Sequence, residues 1–495
     1  MSRPFWPKPK SVDGPNTPST KLPSKTPFDE KLLLLLIRYW PISKSPASPL
    51  PSSIGNYTFT QGFGHATLPD TKVTPETLWL GASTTKAFVG AALSQFIQNG
   101  SYPAQLADGW STPISSIIPD DVVLTDDWAT RHLTLEDAAA HRTGMPRHDL
   151  SWKYTANGSH TPVGDVVRSL RHLHLTTEPR TVYQYCNIMY AVLLHVIETV
   201  TKQSLQTTFK GLIWAPLGMT STYLDLREAK NSAHHLATGY YWDNATQSYG
   251  ALQHDTLQES GASGIITSVV DHAKWVRSLI HYAPPLSLAA HADIRTPRFL
   301  GVGLYGLGWL RTAFHGEPLF HHAGQSLSFG TTIYWLPERQ HGVVCANLAG
   351  EVVVRKLIED AMGTAADKRH DWAPEYRKKL KNLPGFDGAV NSLYPNRTGK
   401  ALPPSASLQD LAGEYYDTGY GRLTFQARGA APGNGLPVRC PAGARFRRQL
   451  VGSLLPAQYL KASFKVDGKV SALDIVMDDE LPGAKPFNVT FKKVD

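Results

Sequence analysis

Ala87, Phe88, Val89, Ala92, Leu93, Phe96 and Ile97 recur at helical spacing and run out at Asn99-Gly100, a helix stop signal. A chain carrying this stretch must bury a helix against a core, and whatever begins the helix is carried to a fixed place with it. What begins it is Ser83-Thr84-Thr85-Lys86. Spacing of i to i+3 sets the hydroxyl and the amine on one face of an amphipathic helix. A serine hydroxyl is a weak nucleophile until a neighbouring base takes its proton, and a desolvated lysine can serve as that base. Free N–H groups at the helix N-terminus could then stabilise an oxyanion. The arrangement suggests chemistry through a serine ester. Taken alone, it equally fits an N-cap serine followed by a solvated lysine.

Two further elements are informative in combination. Tyr185-Cys186-Asn187 precedes an apolar helical stretch with Tyr190, Leu193, Leu194 and Ile197. Two residues apart in an extended loop, the phenol and the carboxamide point the same way, so one can shuttle a proton while the other binds an amide or steadies Lys86. The competing account is a buried aromatic beside a helix-capping asparagine. Further on, His322-Ala323-Gly324-Gln325 leads into an apolar strand, and a glycine there lets a ligand lie along the strand edge. The backbone N–H of Gln325 could complete an oxyanion pair with that of Ser83.

Residues 1–27, rich in Pro, Ser, Thr and Lys, read as a disordered tail. Residues 28–377 form a mixed α and β domain, with helices expected at Phe88 to Ile97, Tyr190 to Val200 and Ala273 to Ile280, and neighbouring strands at Gly330 to Trp335 and His341 to Asn347. Residues 378–407, with Pro384, Pro395, Pro403 and Pro404, read as a linker. Residues 408–495 alternate short strands with turns and predict a small antiparallel β domain.

With 495 residues and 42% hydrophobic content the chain can bury a large core, and its net charge of +8 is spread too evenly for a nucleic-acid surface. Cys186, Cys345 and Cys440 are widely spaced and suggest neither a disulfide framework nor a metal site. The N-terminal apolar run, Leu32 to Ile37, is far shorter than the ~20 residues that span a bilayer, and no signal-peptide cleavage pattern accompanies it. A cytoplasmic protein is expected. Sequons at Asn56, Asn99, Asn157, Asn244, Asn396 and Asn488 favour secretion as the alternative. Gly301 to Gly306 satisfies G-x-G-x-x-G literally, but no hydrophobic strand precedes it and no clear helix follows, so a dinucleotide site is disfavoured. Zinc-hydrolase and nucleophile-elbow motifs are missing.

In the order S-x-x-K, Y-x-N, H-x-G, the chain resembles the serine β-lactamase-related family, which includes class C β-lactamases, D-alanyl-D-alanine carboxypeptidases, esterases and acyltransferases. The resemblance extends through Gly62-Phe63-Gly64, His141-Arg142-Thr143-Gly144-Met145-Pro146, Pro216-Leu217-Gly218-Met219 and Ala262 to Ser268. It implies an antiparallel sheet flanked by helices with a helical subdomain, followed by a small lipocalin-like β domain of the kind found in fungal members. It also implies that Ser83 is the acylated nucleophile, Lys86 assists its deprotonation and Tyr185 is the base that later protonates the leaving group. Asn187, His322, Gly324 and Gln325 would bind substrate, and neither a metal nor an organic cofactor is implied. The partner implied is a small ester, amide or peptide. Acyl transfer in secondary metabolism and a non-catalytic binding protein are the alternative readings. His322 stands where many relatives have the lysine of K-T-G. Histidine has a reference pKa near ~6.5, so carboxylate-bearing substrates should bind less well.

One segment departs from the pattern. Relatives carry an apolar strand before Gly62-Phe63-Gly64, whereas Ser45 to Ser53 contains Pro46, Pro49 and Pro51 and is expected to be unable to form a central strand. A shifted reading frame over the same nucleotides, compensated near Ile54, could encode an apolar strand instead.

Overall fold

The computed structural model describes residues 47–54, 57–149, 151, 161–243, 246–252, 261–300, 303–326, 328–346, 350–372, 374–375, 378, 406–425, 438–439, 461–477 and 486–494. The expected tail at 1–27 and nearly all of the expected linker at 378–407 lie outside them. Among the described residues the largest sheet has nine strands. Across it they run Thr71–Lys72, Tyr57–Thr67, Ala47–Ile54, His341–Cys345, Gly330–Leu336, Glu317–Gln325, Leu310–Phe314, Leu304–Tyr305 and Phe299–Leu300, antiparallel throughout.

Both faces of this sheet are covered, as the apolar run Gly330–Leu336 requires. Ile333, Trp335 and Val344 turn to one face, toward the cluster that holds the helices Thr85–Gln98, Asn187–Thr201 and Val269–Ile280. Tyr334, Leu336, Val343 and Cys345 turn to the other, where they meet Val353, Val354, Leu357 and Ile358 of the helix Gly350–Ala361. The same alternation decides between the two histidines of Glu317–Gln325. His321 stacks on Tyr334 with ring centroids 4.8 Å apart, and His322 takes the opposite face, toward the central helices.

The expectation that Ser45 to Ser53 cannot supply a central strand is corrected by the structure. Ala47–Ile54 lies between two strands and pairs along its whole length with Tyr57–Thr67, from Ala47↔Gly64 to Ile54↔Tyr57. Its ladder to His341–Cys345 covers only Ser52↔Val343, Ser53↔Gly342 and Ile54↔His341. Pro49 and Pro51, two residues apart, withhold their donors on the same edge of the strand, and the shorter ladder begins only after them. The chain as written therefore places Ala47–Ile54 within the sheet.

Helix Thr85–Gln98 also differs from the amphipathic expectation. It is buried on every side from Thr85 to Phe96, with Phe88 stacked on Trp275 at 4.7 Å. At the C-terminal end a second antiparallel sheet of six strands is present among the described residues, ordered Val438–Arg439, Gly421–Phe425, Gly413–Asp417, Phe487–Val494, Lys469–Met477 and Lys461–Asp467. No helix among the described residues is long and apolar enough to cross a membrane.

Several histidines are built into this interior as neutral rings. His141, His148, His272, His322 and His341 are buried, and burial pushes all five down, to about 4 for His148, His272 and His341 and to about 3 for His322. The unfolded chain protonates such rings near ~6.5, whereas the folded chain holds them neutral well below that. Stability is therefore intact above ~6.5 and is lost as pH falls from there toward 4, by roughly 1 kcal/mol per ring per pH unit. The thermal midpoint is expected to drop steeply over that interval. A midpoint unchanged between neutrality and pH ~4.5 would contradict this account.

Candidate active site

Ser83 does not open the α-helix directly but sits in the short 3₁₀ turn Ala82–Thr84 before it. Two hydroxyls pin this turn. Thr84 Oγ1 donates to Gly81 O at 2.9 Å and Thr85 Oγ1 to Ala82 O at 2.7 Å, while Thr85 Oγ1 accepts from the Ile265 N–H at 3.0 Å. Ala82 takes φ 47°, a left-handed conformation that is unfavourable for any residue with a Cβ and a form of backbone strain found at functional sites. The turn presents the Ser83 hydroxyl to two partners: Lys86 Nζ lies 3.2 Å from its Oγ, and the Tyr185 phenol donates to the same oxygen at 2.9 Å.

Lys86 is fully buried. Its Nζ donates to Asn187 Oδ1 at 2.8 Å and to Ala262 O at 2.9 Å, and it lies 4.7 Å from the Tyr185 ring centroid and 5.2 Å from that of Tyr190. Burial, with a smaller push from the Arg147 guanidinium, holds the amine well below its usual range. Tyr185 goes the other way: burial raises its phenol and keeps it protonated.

Tyr185 and Asn187 flank Cys186, the extended N-cap of the helix Asn187–Thr201. The Cys186 N–H donates to His141 Nδ1 at 3.1 Å, and the His141 ring lies 4.2 Å from that of Tyr185, supporting the phenol from behind. With Nδ1 accepting, His141 carries its proton on Nε2, which has no hydrogen-bond partner among the described residues. Asn187 uses both ends of its carboxamide, since its Nδ2 donates to Asp149 Oδ1 at 2.9 Å.

The Glu317–Gln325 strand closes the remaining side. A Cβ on Gly324 would lie 2.1 Å from Gly81 O and 3.1 Å from Ser83 N, so only glycine lets the strand approach the Ser83 backbone this closely. Gln325 follows it, exposed. His322 is 3% exposed and its ring centroid stands 6.5 Å from that of Tyr185. Its Nδ1 donates to Ala323 O at 2.8 Å, which leaves Nε2 to accept from the Tyr305 hydroxyl at 3.2 Å. Both nitrogens are thus occupied within the protein, and the ring is neutral.

Of the residues singled out in the sequence, Ser83, Lys86, Tyr185 and Asn187 meet in one hydrogen-bonded group. Gly324 abuts it, and His322 stands behind it. Sequence reasoning missed His141, Arg147, Asp149 and Tyr305. The available signal for the first three was the run from His141 to Asp149, where three ionisable side chains follow a turn-forming Thr143-Gly144.

The pattern of the Beta-lactamase family matches residues 55–362. The chain is 36% identical over 390 residues to the unguisins hydrolase ungD' of Aspergillus campestris, covering 75% of this chain and 72% of that protein. The octameric penicillin-binding protein homologue from Pyrococcus abyssi superposes with a TM-score of 0.61 at 17% identity, covering 94% of this chain and 96% of the other. A class C beta lactamase from Rhodobacter sphaeroides superposes with a TM-score of 0.54 at 19% identity, over 68% of this chain and 100% of its own. A nine-stranded sheet closing on a half-buried serine and a buried lysine, and a family pattern that spans them both, lead to one assignment: the chain belongs to the beta-lactamase family of serine hydrolases.

Proposed function

We propose that this chain hydrolyses an ester or amide bond in an uncharged region of a small molecule or peptide, through an acyl ester on Ser83. The observation that carries the reading is the Ser83 hydroxyl held between Lys86 Nζ and the Tyr185 phenol. Asn187 Oδ1 and Ala262 O can only accept, and a neutral amine has two N–H bonds to give them. That leaves its lone pair for the Ser83 proton. As Oγ bonds to the substrate carbonyl carbon, Lys86 takes this proton. When the carbon–nitrogen or carbon–oxygen bond breaks, the Tyr185 phenol protonates the leaving group and is reprotonated from Lys86. This divides the work differently from the family-based expectation, because a phenol raised by burial is a proton donor and Lys86 is the base. Water then attacks the acyl carbon as Lys86 takes its proton, the carbon–Oγ bond breaks, and Ser83 Oγ recovers that proton as the acid leaves.

His322 supports an uncharged substrate. Where a K-T-G lysine would present a cation, this neutral ring spends both nitrogens on Tyr305 and Ala323. Similarity to an unguisins hydrolase supports hydrolysis over acyl transfer. A fluorophosphonate should add its phosphoryl group to the folded chain once, with the mass increment mapping to the peptide that contains Ser83. Absence of labelling, or a label on another residue, refutes the proposal and favours a binding protein. Added alcohol that captures most of the acyl group at low concentration would instead assign a transferase.

A further inference from the structure

Every residue from Pro146 to Asp149 touches either the Tyr185-Cys186-Asn187 segment or the C-terminal sheet. Pro146 O accepts from Cys186 Sγ at 3.2 Å. The Arg147 guanidinium carbon lies 5.1 Å from the Tyr185 ring centroid, and its Nε pairs with Asp149 Oδ2 at 2.9 Å. Asp149 Oδ1 accepts from Asn187 Nδ2, whose carboxamide oxygen in turn holds Lys86. His148 faces the other way. Its Nδ1 accepts from the Tyr420 hydroxyl at 2.5 Å, its Nε2 donates to His174 O at 3.0 Å, and the Phe487 ring meets it edge-on at 5.0 Å.

We propose that the C-terminal sheet is a positioning element of the acylation site, gripping His148 so that the adjoining Asp149 holds Asn187 on Lys86; this rests on the hydrolase reading above. His148 has φ 44°, a conformation that a histidine keeps only when its surroundings impose it. The surroundings here are largely the C-terminal sheet. Tyr420 lies in the turn between the strands Gly413–Asp417 and Gly421–Phe425, and Phe487 opens the strand Phe487–Val494. Gly419 beside it packs so tightly that a Cβ would stand 2.8 Å from Leu173 Cδ2 and 2.9 Å from His172 O. Burial pushes His148 down to about 4, so the ring is neutral and its Nδ1 lone pair is open to the phenol.

Asp149 acts through orientation. A carboxylate only accepts, so it draws the NH₂ end of Asn187 and leaves the carbonyl end for Lys86. Without it no hydrogen bond on that side among the described residues distinguishes the two ends, and a turned carboxamide would present N–H to the amine and redirect its lone pair away from Ser83.

The test uses full-length wild type, Asp149→Ala, Asp149→Asn and Tyr420→Phe, with the rate of fluorophosphonate labelling at Ser83 measured per folded molecule. Labelling should slow about 10- to 100-fold in Asp149→Ala, the scale set by misplacing a catalytic group by about 1 Å. Asp149→Asn should recover part of the loss, because its carbonyl oxygen still accepts from Asn187. Tyr420→Phe removes one hydroxyl distant from the substrate and should slow labelling roughly three- to tenfold with kcat reduced and KM unchanged. A wild-type rate in either Asp149→Ala or Tyr420→Phe overturns the coupling, as does a loss accounted for wholly by unfolded protein. Failure of the wild type itself to label takes down the hydrolase reading, whereas normal wild-type labelling with undisturbed variants sinks the coupling alone.

Discussion

Ser83→Ala is expected to lower kcat/KM on a chromogenic ester by roughly 10⁴- to 10⁶-fold, and Lys86→Met should lose nearly as much. The reason is that the two residues form one device. Ser83 supplies the only oxygen in reach of both Lys86 Nζ and the Tyr185 hydroxyl among the hydrogen bonds described, and in the proposed mechanism Lys86 supplies the lone pair that frees it. Removing either stops the same step, so the double variant should be no slower than Ser83→Ala alone. Methionine is the informative replacement because it nearly matches lysine in volume and removes a buried amine. It leaves Asn187 Oδ1 short of a donor, at about 1–3 kcal/mol, offset in part by the lost desolvation of the amine. The fold should persist while activity does not. A Lys86→Met enzyme within tenfold of wild type would show that another group takes the serine proton.

Gly324→Ala should damage the same chemistry by displacing its frame. The new methyl would sit 2.1 Å from Gly81 O, and that oxygen cannot retreat freely, since it accepts from Thr84 Oγ1 while the Gly81 N–H is bound to Ile265 O at 2.8 Å. The strand must therefore withdraw from the nucleophile turn by something near ~1 Å. Such a shift is enough to slow acylation about 10²-fold with every reacting side chain still present. Stopped-flow labelling of Ser83 together with a melting curve checks this. Unimpaired labelling would mean that the close approach plays no part in binding the oxyanion.

Much of the local structure was legible because it depends on neighbours in sequence. The i, i+3 spacing of Ser83 and Lys86, the apolar period after Asn187 and the apolar run Gly330–Leu336 each carry their own geometry, and the expected elements coincide with those observed to within a few residues. The grouping of Ser83, Lys86, Tyr185 and Asn187 followed from motif order. Asp149 escaped notice because its effect on Lys86 passes through Asn187, and Arg147 because a guanidinium over an aromatic ring leaves no spacing signature. The grip on His148 joins residues 272 apart in sequence. The proline-bearing strand was misjudged for a different reason: a rule about missing donors needs to know how far each ladder extends, and Ala47–Ile54 reaches His341–Cys345 through only three residues.

In the small sheet, Phe487–Val494 pairs with Gly413–Asp417 on one side and Lys469–Met477 on the other, although it follows both along the chain. During synthesis the two halves of that sheet emerge before the strand that pairs with both, and Ser83, Lys86 and Asn187 emerge before either half. Only when the joining strand leaves the ribosome can Phe487 close against His148. Under the proposed coupling, the strand that brings Phe487 to His148 lies C-terminal to every reacting group, so those groups are synthesised before the grip that orients Asn187 through Asp149.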